Sequence, residues 1–511
     1  MVVTVKTAAL QGINAIPVFC ETAVTVGCRV LMIGLPDAAV KESRDRIESA
    51  LREVGLRFPR QQVTINLAPA DVRKEGSLYD IPIAVAVMAA GGIIPPDKIG
   101  DYMMVGELSL DGTVKEVKGC LPFAILAREM KLKGIIVPRE NAREAAVVNN
   151  LDVLIADNLR DVISFFQGKQ ELERMEVDTR ALFSSAERNY PADFQDVKGQ
   201  EPVKRALAIA AVGGHNLILI GAPGCGKSLM AKCLPSILPP LSLAESLETT
   251  KIHSVAGLRS ETGLITQRPF RAPHHTISSV ALCGGGQNPM PGEVSLAHNG
   301  VLYADELPEF KRDSLEVLRQ PLEDRKITIA RAKNTVVYPS SVMLVASMNP
   351  CPCGYYTHPT RQCTCTPTQV QKYLSKVSGP LMDRIDIHIQ VDSLPFEELS
   401  KTTVSESSAQ IRERVVKARK IQEERYKDHP LIHCNAQMTP ALLREFAVLD
   451  EKAKNILKSA MVKLDLSARA YDRILRVART IADYEGSEKI KSSHIAEAIS
   501  YRSLDRSNWG R

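Results

Sequence analysis

Gly221-Ala-Pro-Gly-Cys-Gly-Lys227-Ser228 decides the fold. The run fits G-x-x-x-x-G-K-[ST] and follows the apolar stretch Leu217-Ile-Leu-Ile220, so a strand leads through a glycine loop into a helix. Gly221, Gly224 and Gly226 let backbone N–H groups turn toward phosphate oxygens. The helix that follows offers the positive end of its dipole to the same anion. Lys227 is placed to reach the β- and γ-phosphates, and the Ser228 hydroxyl to ligate Mg²⁺. ATP and Mg²⁺ are the expected ligands. A chance glycine turn with a stray lysine would not bring this strand and helix with it.

A second strand, Val301-Leu-Tyr-Ala304, ends in Asp305 and Glu306. Asp305 is placed to hold the metal's hydration shell, and Glu306 to orient or deprotonate the attacking water. Alone such a pair is weak, because acids often follow strands; behind the glycine loop it becomes strong. A third strand, Val342 to Met348, ends in Asn349. That amide either positions water beside the acids or simply starts a turn before Pro350, and its residue type leaves both open.

At 511 residues the chain is too long for one core, and about three domains are expected. Hydrophobic residues make up 44% and charged residues 24%, as in ordinary globular proteins. No apolar run is long enough for a membrane span, and Met1 to Lys6 lacks a basic region followed by an apolar one. A cytoplasmic protein with no membrane partner is expected. Its 11 cysteines then read as reduced thiols or metal ligands. The net charge of +6 permits nucleic-acid binding without arguing for it.

Residues 1–168 alternate short strands with amphipathic helices; Asp37 is placed to cap a helix starting at Ala38. Residues 169–190 are polar and read as a linker. From 191 to 395 strands and helices alternate, which implies an α/β domain on a parallel sheet. From 396 to 511 the pattern is helical. Arg469, Arg473, Arg476 and Arg479 fall on one broad face there, opposite Ala470, Ile474, Leu475, Ala478 and Ile481.

Longer motifs surround these landmarks. Phe270-Arg-Ala-Pro-His-His-Thr-Ile-Ser278, Pro291 through Glu306, Leu318-Arg-Gln-Pro-Leu-Glu323, Ser378 through Asp386 and Leu466-Ser-Ala-Arg-Ala-Tyr471 closely resemble the magnesium-chelatase-like AAA+ ATPases, in their ComM/YifB branch. The resemblance spans nearly the whole chain. It implies a P-loop AAA+ core with a C-terminal helical lid. It places Asn349 at the sensor-1 position and Arg384 at that of an arginine finger reaching a neighbouring subunit's γ-phosphate. Arg469 matches the sensor-2 arginine, with Arg473 one turn on as the second choice. A finger working in trans implies a ring, and the family is hexameric. The expected activity is ATP hydrolysis coupled to movement on single-stranded or branched DNA. That activity would promote branch migration in recombination or natural transformation. The alternative is a chelatase- or chaperone-like ATPase remodelling a protein partner.

Three further segments carry chemistry. Arg325 to Val337 reads as a β-hairpin with its turn near Arg331 to Asn334. In related ATPases the hairpin before sensor 1 projects into the ring's pore, so Lys326, Arg331 and Lys333 are the expected DNA contacts, through phosphates and not bases. A solubilising basic tip is the plainer alternative. Gly284 to Gly292 resembles the family's helix-2 insertion, a second pore-loop candidate; the His274–His275 pair ahead of it is more simply structural. Cys351, Cys353, Cys363 and Cys365, inside an insertion over 351–365, either supply a tetrahedral Zn²⁺ site or are plain thiols.

Residues 1–168 resemble the α+β proteolytic domain of Lon-type proteases, a ribosomal S5 domain 2-like fold, on Val105 to Lys115 and Ile136 to Asn141. Active members use a Ser–Lys dyad. Here the serine's place holds Leu78, with Ser77 one residue off, and the lysine's place holds Leu121. No peptidase activity is expected; a binding or ring-assembly role is.

Overall fold

The computed structural model describes residues 2–185, 190–286, 288–330, 335–356, 358, 360–395, 405–429, 432–464 and 466–502. The chain falls into two units: Met1–Ala186 with Ser242–Thr266, and Glu187–Leu241 with Gln267–Arg511.

The first unit is built on an eight-stranded mixed sheet. Val2–Gln11 and Asn14–Thr25 form a long antiparallel hairpin. Gln62–Ala68 and Val30–Ile33 extend it on one side. On the other, Tyr102–Met104, Gly134–Pro138 and Asp152–Ala156 continue in parallel. Gln62–Ala68 buries every second residue, as a strand with one covered face must, whereas all five residues of Gly134–Pro138 are buried. Helix Ala38–Glu53 is capped by Asp37, whose Oδ1 accepts from the Val40 N–H at 2.8 Å. The stretch expected as a linker is structured in part: Arg174–Met175 pairs antiparallel with Asp152–Ala156, and Leu172 is buried in the core.

The segment Ser242–Thr266 departs from the sequence expectation, which ran the ATPase core unbroken from 191 to 395. Its helix, Leu243–Ala256, opens on a reciprocal Ser242/Glu245 capping box. It then packs in the first unit, where Ser254 accepts from the Gly119 N–H at 3.1 Å and its hydroxyl binds the buried Glu144 carboxylate. Its small, mixed residues showed no apolar stripe to reveal this destination.

The second unit carries a five-stranded parallel sheet. Its spatial order is Phe270–Arg271, Val301–Ala304, Met343–Met348, Leu217–Gly221, Ile387–Val391. The three central strands are buried at every position, which is why they stood out as plain apolar runs. Helices Glu201–Gly213 and Lys227–Ile237 pack into the same core. The C-terminal helices Ser408–Arg425, Pro440–Phe446, Glu451–Lys463, Ala468–Tyr484 and Ser492–Ser500 share that core, since Ile474, Leu475 and Ile481 join the cluster that holds Leu217 and Val345. Of the four arginines that share a face of Ala468–Tyr484, Arg469 is well exposed and the other three are engaged within the unit. Arg479 is 3% exposed and bound to Asp483, and Arg476 donates to the Met438 carbonyl. Among the described residues no helix is long and apolar enough to cross a membrane.

Candidate active site

The glycine loop leaves the central strand Leu217–Gly221 at its C-terminal end. Gly224 and Gly226 have φ of +79° and +89°, values that a side chain would strain, and nothing lies within 4 Å of where a Cβ would stand. Helix Lys227–Ile237 starts directly after Gly226 with no side-chain cap. Its first N–H groups thus face an open loop, the arrangement that suits a phosphate. Lys227 Nζ donates to the Gly221 and Ala222 carbonyls at 2.7 and 2.9 Å and to Asn349 Oδ1 at 3.2 Å. The Asn349 amide is therefore within reach of the loop lysine, as the order of the central strands dictates.

Asp305 leaves the end of the adjoining strand. Its Oδ2 accepts from the Ser228 hydroxyl at 3.2 Å, and its Oδ1 from Tyr303 at 2.8 Å and from Ser347. Burial alone would raise this carboxyl, but the hydrogen bonds from Ser347, Tyr303 and Ser228 outweigh it and hold the group below its ordinary value. The anion and hydroxyl that a Mg²⁺ needs are thus side by side. Tyr303 and Ser347 were missed in the sequence. Each lies on a strand next to a residue already singled out, and strand ends alone do not say which neighbours turn inward. Glu306 sits in the left-handed region at φ +53°, its N–H donating to Ser347 Oγ at 3.2 Å. A non-glycine residue held there is a local cost that fixes the direction of the carboxylate.

Arg384 is 9% exposed. It pairs with Glu323 and donates to the Pro380 carbonyl at 2.7 Å, on the wall of a cavity of about 750 Å³ shared with Glu316, Arg319 and Asp324. Arg469 is well exposed and meets Asp383 only at 4.0 Å. Arg473, the second choice, is committed to Asp386. Asp386 also accepts from the Asn216 N–H at 3.2 Å and contacts His215 Nδ1 at 3.2 Å, while His215 Nε2 meets Thr480 at 2.8 Å. Burial would raise the Asp386 carboxyl, but Arg473 and His215 drive it well below the carboxylate range. This ionic knot ties the first central strand to the lid helix Ala468–Tyr484.

Lys326–Ala330 and Thr335–Pro339 form the expected antiparallel hairpin, with Lys326 exposed and Ile327 and Ile329 buried. Arg331 and Lys333 lie outside the described residues. The segment around Gly284 forms a small hairpin of its own, Gly284–Gly285 with Met290–Pro291. His274 and His275 stack on each other at 4.1 Å, and His274 Nδ1 meets Thr276 at 2.9 Å.

The four cysteines converge. Cys351 Sγ lies 3.3 Å from Cys353 Sγ and 3.7 Å from Cys363 Sγ, Cys353 and Cys363 are 3.5 Å apart, and all four sulfurs fall within 4.8 Å of one another. A tetrahedral ion with Zn–S bonds of about 2.3 Å sets its sulfurs about 3.8 Å apart. The group can hold a metal; among the described residues no other His/Cys/Asp/Glu group of three or more is so arranged.

In the first unit, Leu78 packs half-buried against the core and the Ser77 hydroxyl binds Glu107. Leu121 is wholly buried and its N–H donates to Glu144 Oε1 at 2.8 Å. Asp80 is buried too, accepting from Ser43 at 2.5 Å and Arg46 at 2.7 Å.

A glycine loop, an acid beside its serine and a polar strand end on a sheet of this order define an ATPase of the AAA+ class. The family described as magnesium chelatase, subunit ChlI, matches residues 193–399, with its C-terminal part at 405–502 and a further ChlI domain at 20–141. The chain is 43% identical to the YifB protein of Escherichia coli (strain K12) over 504 residues, covering 98% of this chain and 97% of that one. It is 42% identical to the competence protein ComM of Haemophilus influenzae over 477 residues, 93% of this chain and 92% of that one. Lon protease 2 of Bacillus subtilis shares 28% identity over 188 residues, 32% of each chain. The chain belongs to the ComM/YifB family of magnesium-chelatase-like AAA+ ATPases.

Proposed function

We propose that this ATPase is a ring-forming, hexameric motor that moves on single-stranded or branched DNA and promotes branch migration during recombination or the uptake of transforming DNA. The observation that carries the reading is the hairpin Lys326–Pro339. It runs out from between the strand that ends at Asp305 and the strand that ends at Asn349. The basic residues of this stretch, Lys326 on the first strand and Arg331 and Lys333 between the two strands in the sequence, would couple phosphate release to a grip on a nucleic-acid backbone. The word competence in the name of the Haemophilus influenzae relative agrees with DNA as the load.

Within this reading Gly221, Gly224, Gly226 and Lys227 cradle the triphosphate, while Ser228 and Asp305 hold Mg²⁺. Glu306 orients water, and Asn349 positions it against Lys227. The metal supplies charge neutralisation on the phosphates. Arg384 acts on the neighbouring subunit's nucleotide after exchanging Glu323 for phosphate, and Arg469, not the committed Arg473, serves from the lid. The cysteine cluster holds a structural Zn²⁺, and a cytoplasmic setting keeps its thiols reduced.

The test is the steady-state ATPase rate with and without forked or four-way DNA. Stimulation is expected, and it is expected to vanish in Lys326→Ala/Arg331→Ala/Lys333→Ala. Because the matched family is a magnesium chelatase subunit, a protein partner is the second reading. An ATPase indifferent to DNA and stimulated by a protein would establish that one instead.

A further inference from the structure

The cysteine cluster is built onto the ATP site. Cys351 follows Asn349 by two residues. Gly354, next to Cys353, has φ +84°, and a Cβ there would stand 2.5 Å from Pro223 Cδ and 2.8 Å from Cγ. The knuckle therefore rests on the proline ring of the glycine loop itself, so closely that only glycine fits. Two more contacts hold the segment in place. His358 Nε2 meets Ser393 at 3.1 Å, just past the strand that pairs with Gly221. Tyr373, on helix Pro367–Leu374 just beyond Cys365, places its hydroxyl on the Asn349 backbone. The loop thus bears on the phosphate cradle through Gly354, and the helix that follows it meets the backbone of Asn349 through Tyr373. The loop has few buried side chains of its own: among the described residues of 351–365, only Cys351 and Gly354 are buried. Without a cross-link such a segment has little to hold its shape.

We propose that metal held by Cys351, Cys353, Cys363 and Cys365 is a positioning device for the glycine loop, so that nucleotide affinity follows metal occupancy and is lost when a peroxide oxidises the thiolates. This rests on the zinc reading above. Cys353, Cys363 and Cys365 are only half-buried, so an oxidant reaches them. The four thiolates give four electrons to two molecules of hydrogen peroxide. Two S–S bonds form, both O–O bonds break, four protons are taken up, four waters result, and Zn²⁺ departs. A thiol reductant with added Zn²⁺ reverses the change.

The experiment uses the full chain, with zinc content by mass spectrometry and affinity for a fluorescent ATP analogue read together. One zinc per chain is expected. Hydrogen peroxide is expected to release it, measured with a chromogenic chelator, in step with a rise in nucleotide Kd of about tenfold to hundredfold, the scale of a displaced binding group. Dithiothreitol plus Zn²⁺ restores both. Because Cys363→Ser is open to the objection that the domain merely unfolds, Gly354→Ala is the decisive variant. It keeps all four sulfurs and pushes on Pro223, so it is expected to retain zinc and its far-ultraviolet dichroism while the Kd rises. Zinc present but released without change in Kd, or a Gly354→Ala chain with ordinary affinity, overturns the coupling and leaves the zinc reading standing. A wild-type chain free of zinc overturns both.

Discussion

The two units handle buried polar chemistry in opposite ways. In the second, polar groups gather at the C-terminal ends of parallel strands and stay open: Lys227, Ser228, Asp305 and Asn349 bind one another across distances of 3.2 Å. In the first, the region around Leu121 is sealed. Leu121 is buried, its N–H is spent on Glu144, and Glu144 is bound in turn by Ser254 from the helix Leu243–Ala256. A fold does not carry its function with it, and function has to be read from the groups on it. The lesson extends to arginines. Arg473, Arg476 and Arg479 look alike in the sequence and are spent on Asp386, Met438 and Asp483, whereas Arg469 stays exposed.

The comparison can be broken most forcefully at the guanidinium assigned to the neighbouring site. Arg384→Ala is expected to lower kcat by about 10³-fold or more, the scale of an arginine finger, with nucleotide binding preserved. Mixed with Lys227→Ala chains, it should regain part of its activity, because each then supplies what the other lacks. Phosphate release by the mixture against either variant alone decides this. Glu306→Gln comes next, with an expected loss of about 10²-fold in kcat, the lower end for a general base, while the fluorescent nucleotide still binds. An undiminished kcat would move the water-orienting role to another group.

A third test asks whether the knot beneath the lid is structural. Asp386→Asn leaves the half-buried Arg473 without its counter-charge, and should cost about 3 kcal/mol in denaturant unfolding, the lower end for breaking a buried pair. The sign follows from the lowered carboxyl. A group more acidic folded than unfolded stabilises fully above its unfolded value near 4, and that contribution is lost only as pH falls through the folded one. The stability difference between wild type and Asp386→Asn should therefore be flat at neutral pH and shrink only in strong acid. The smallest expected effect is none at all: casein should survive incubation with wild type and with Leu121→Lys alike. Restoring one member of a dyad, without a serine at position 78, leaves no nucleophile to activate. Cleavage by the wild type would erase the contrast between the units.

Much of the second unit was legible because parallel strands covered on both faces read as bare apolar runs, and each ends where the glycine loop, the acids or the amide begins. The hairpin was legible through its period of two. The rest was not, for reasons of distance. Asp386, His215 and Thr480 meet across the fold with nothing in their spacing to announce it. The cysteines gave no usual knuckle spacing, and that the two C-x-C pairs converge is visible only in the fold.

The excursion of Ser242–Thr266 bears on how the molecule is to be taken apart. The chain passes between its halves after residues 186, 241 and 266, so one cut in the backbone frees neither. A fragment ending at 186 would lose Ser254 and lay bare the Glu144 carboxylate that it covers. The complementary fragment would carry the helix Leu243–Ala256 without the residues it packs against. The halves are stitched together by the chain itself, and each is to be studied with the other attached.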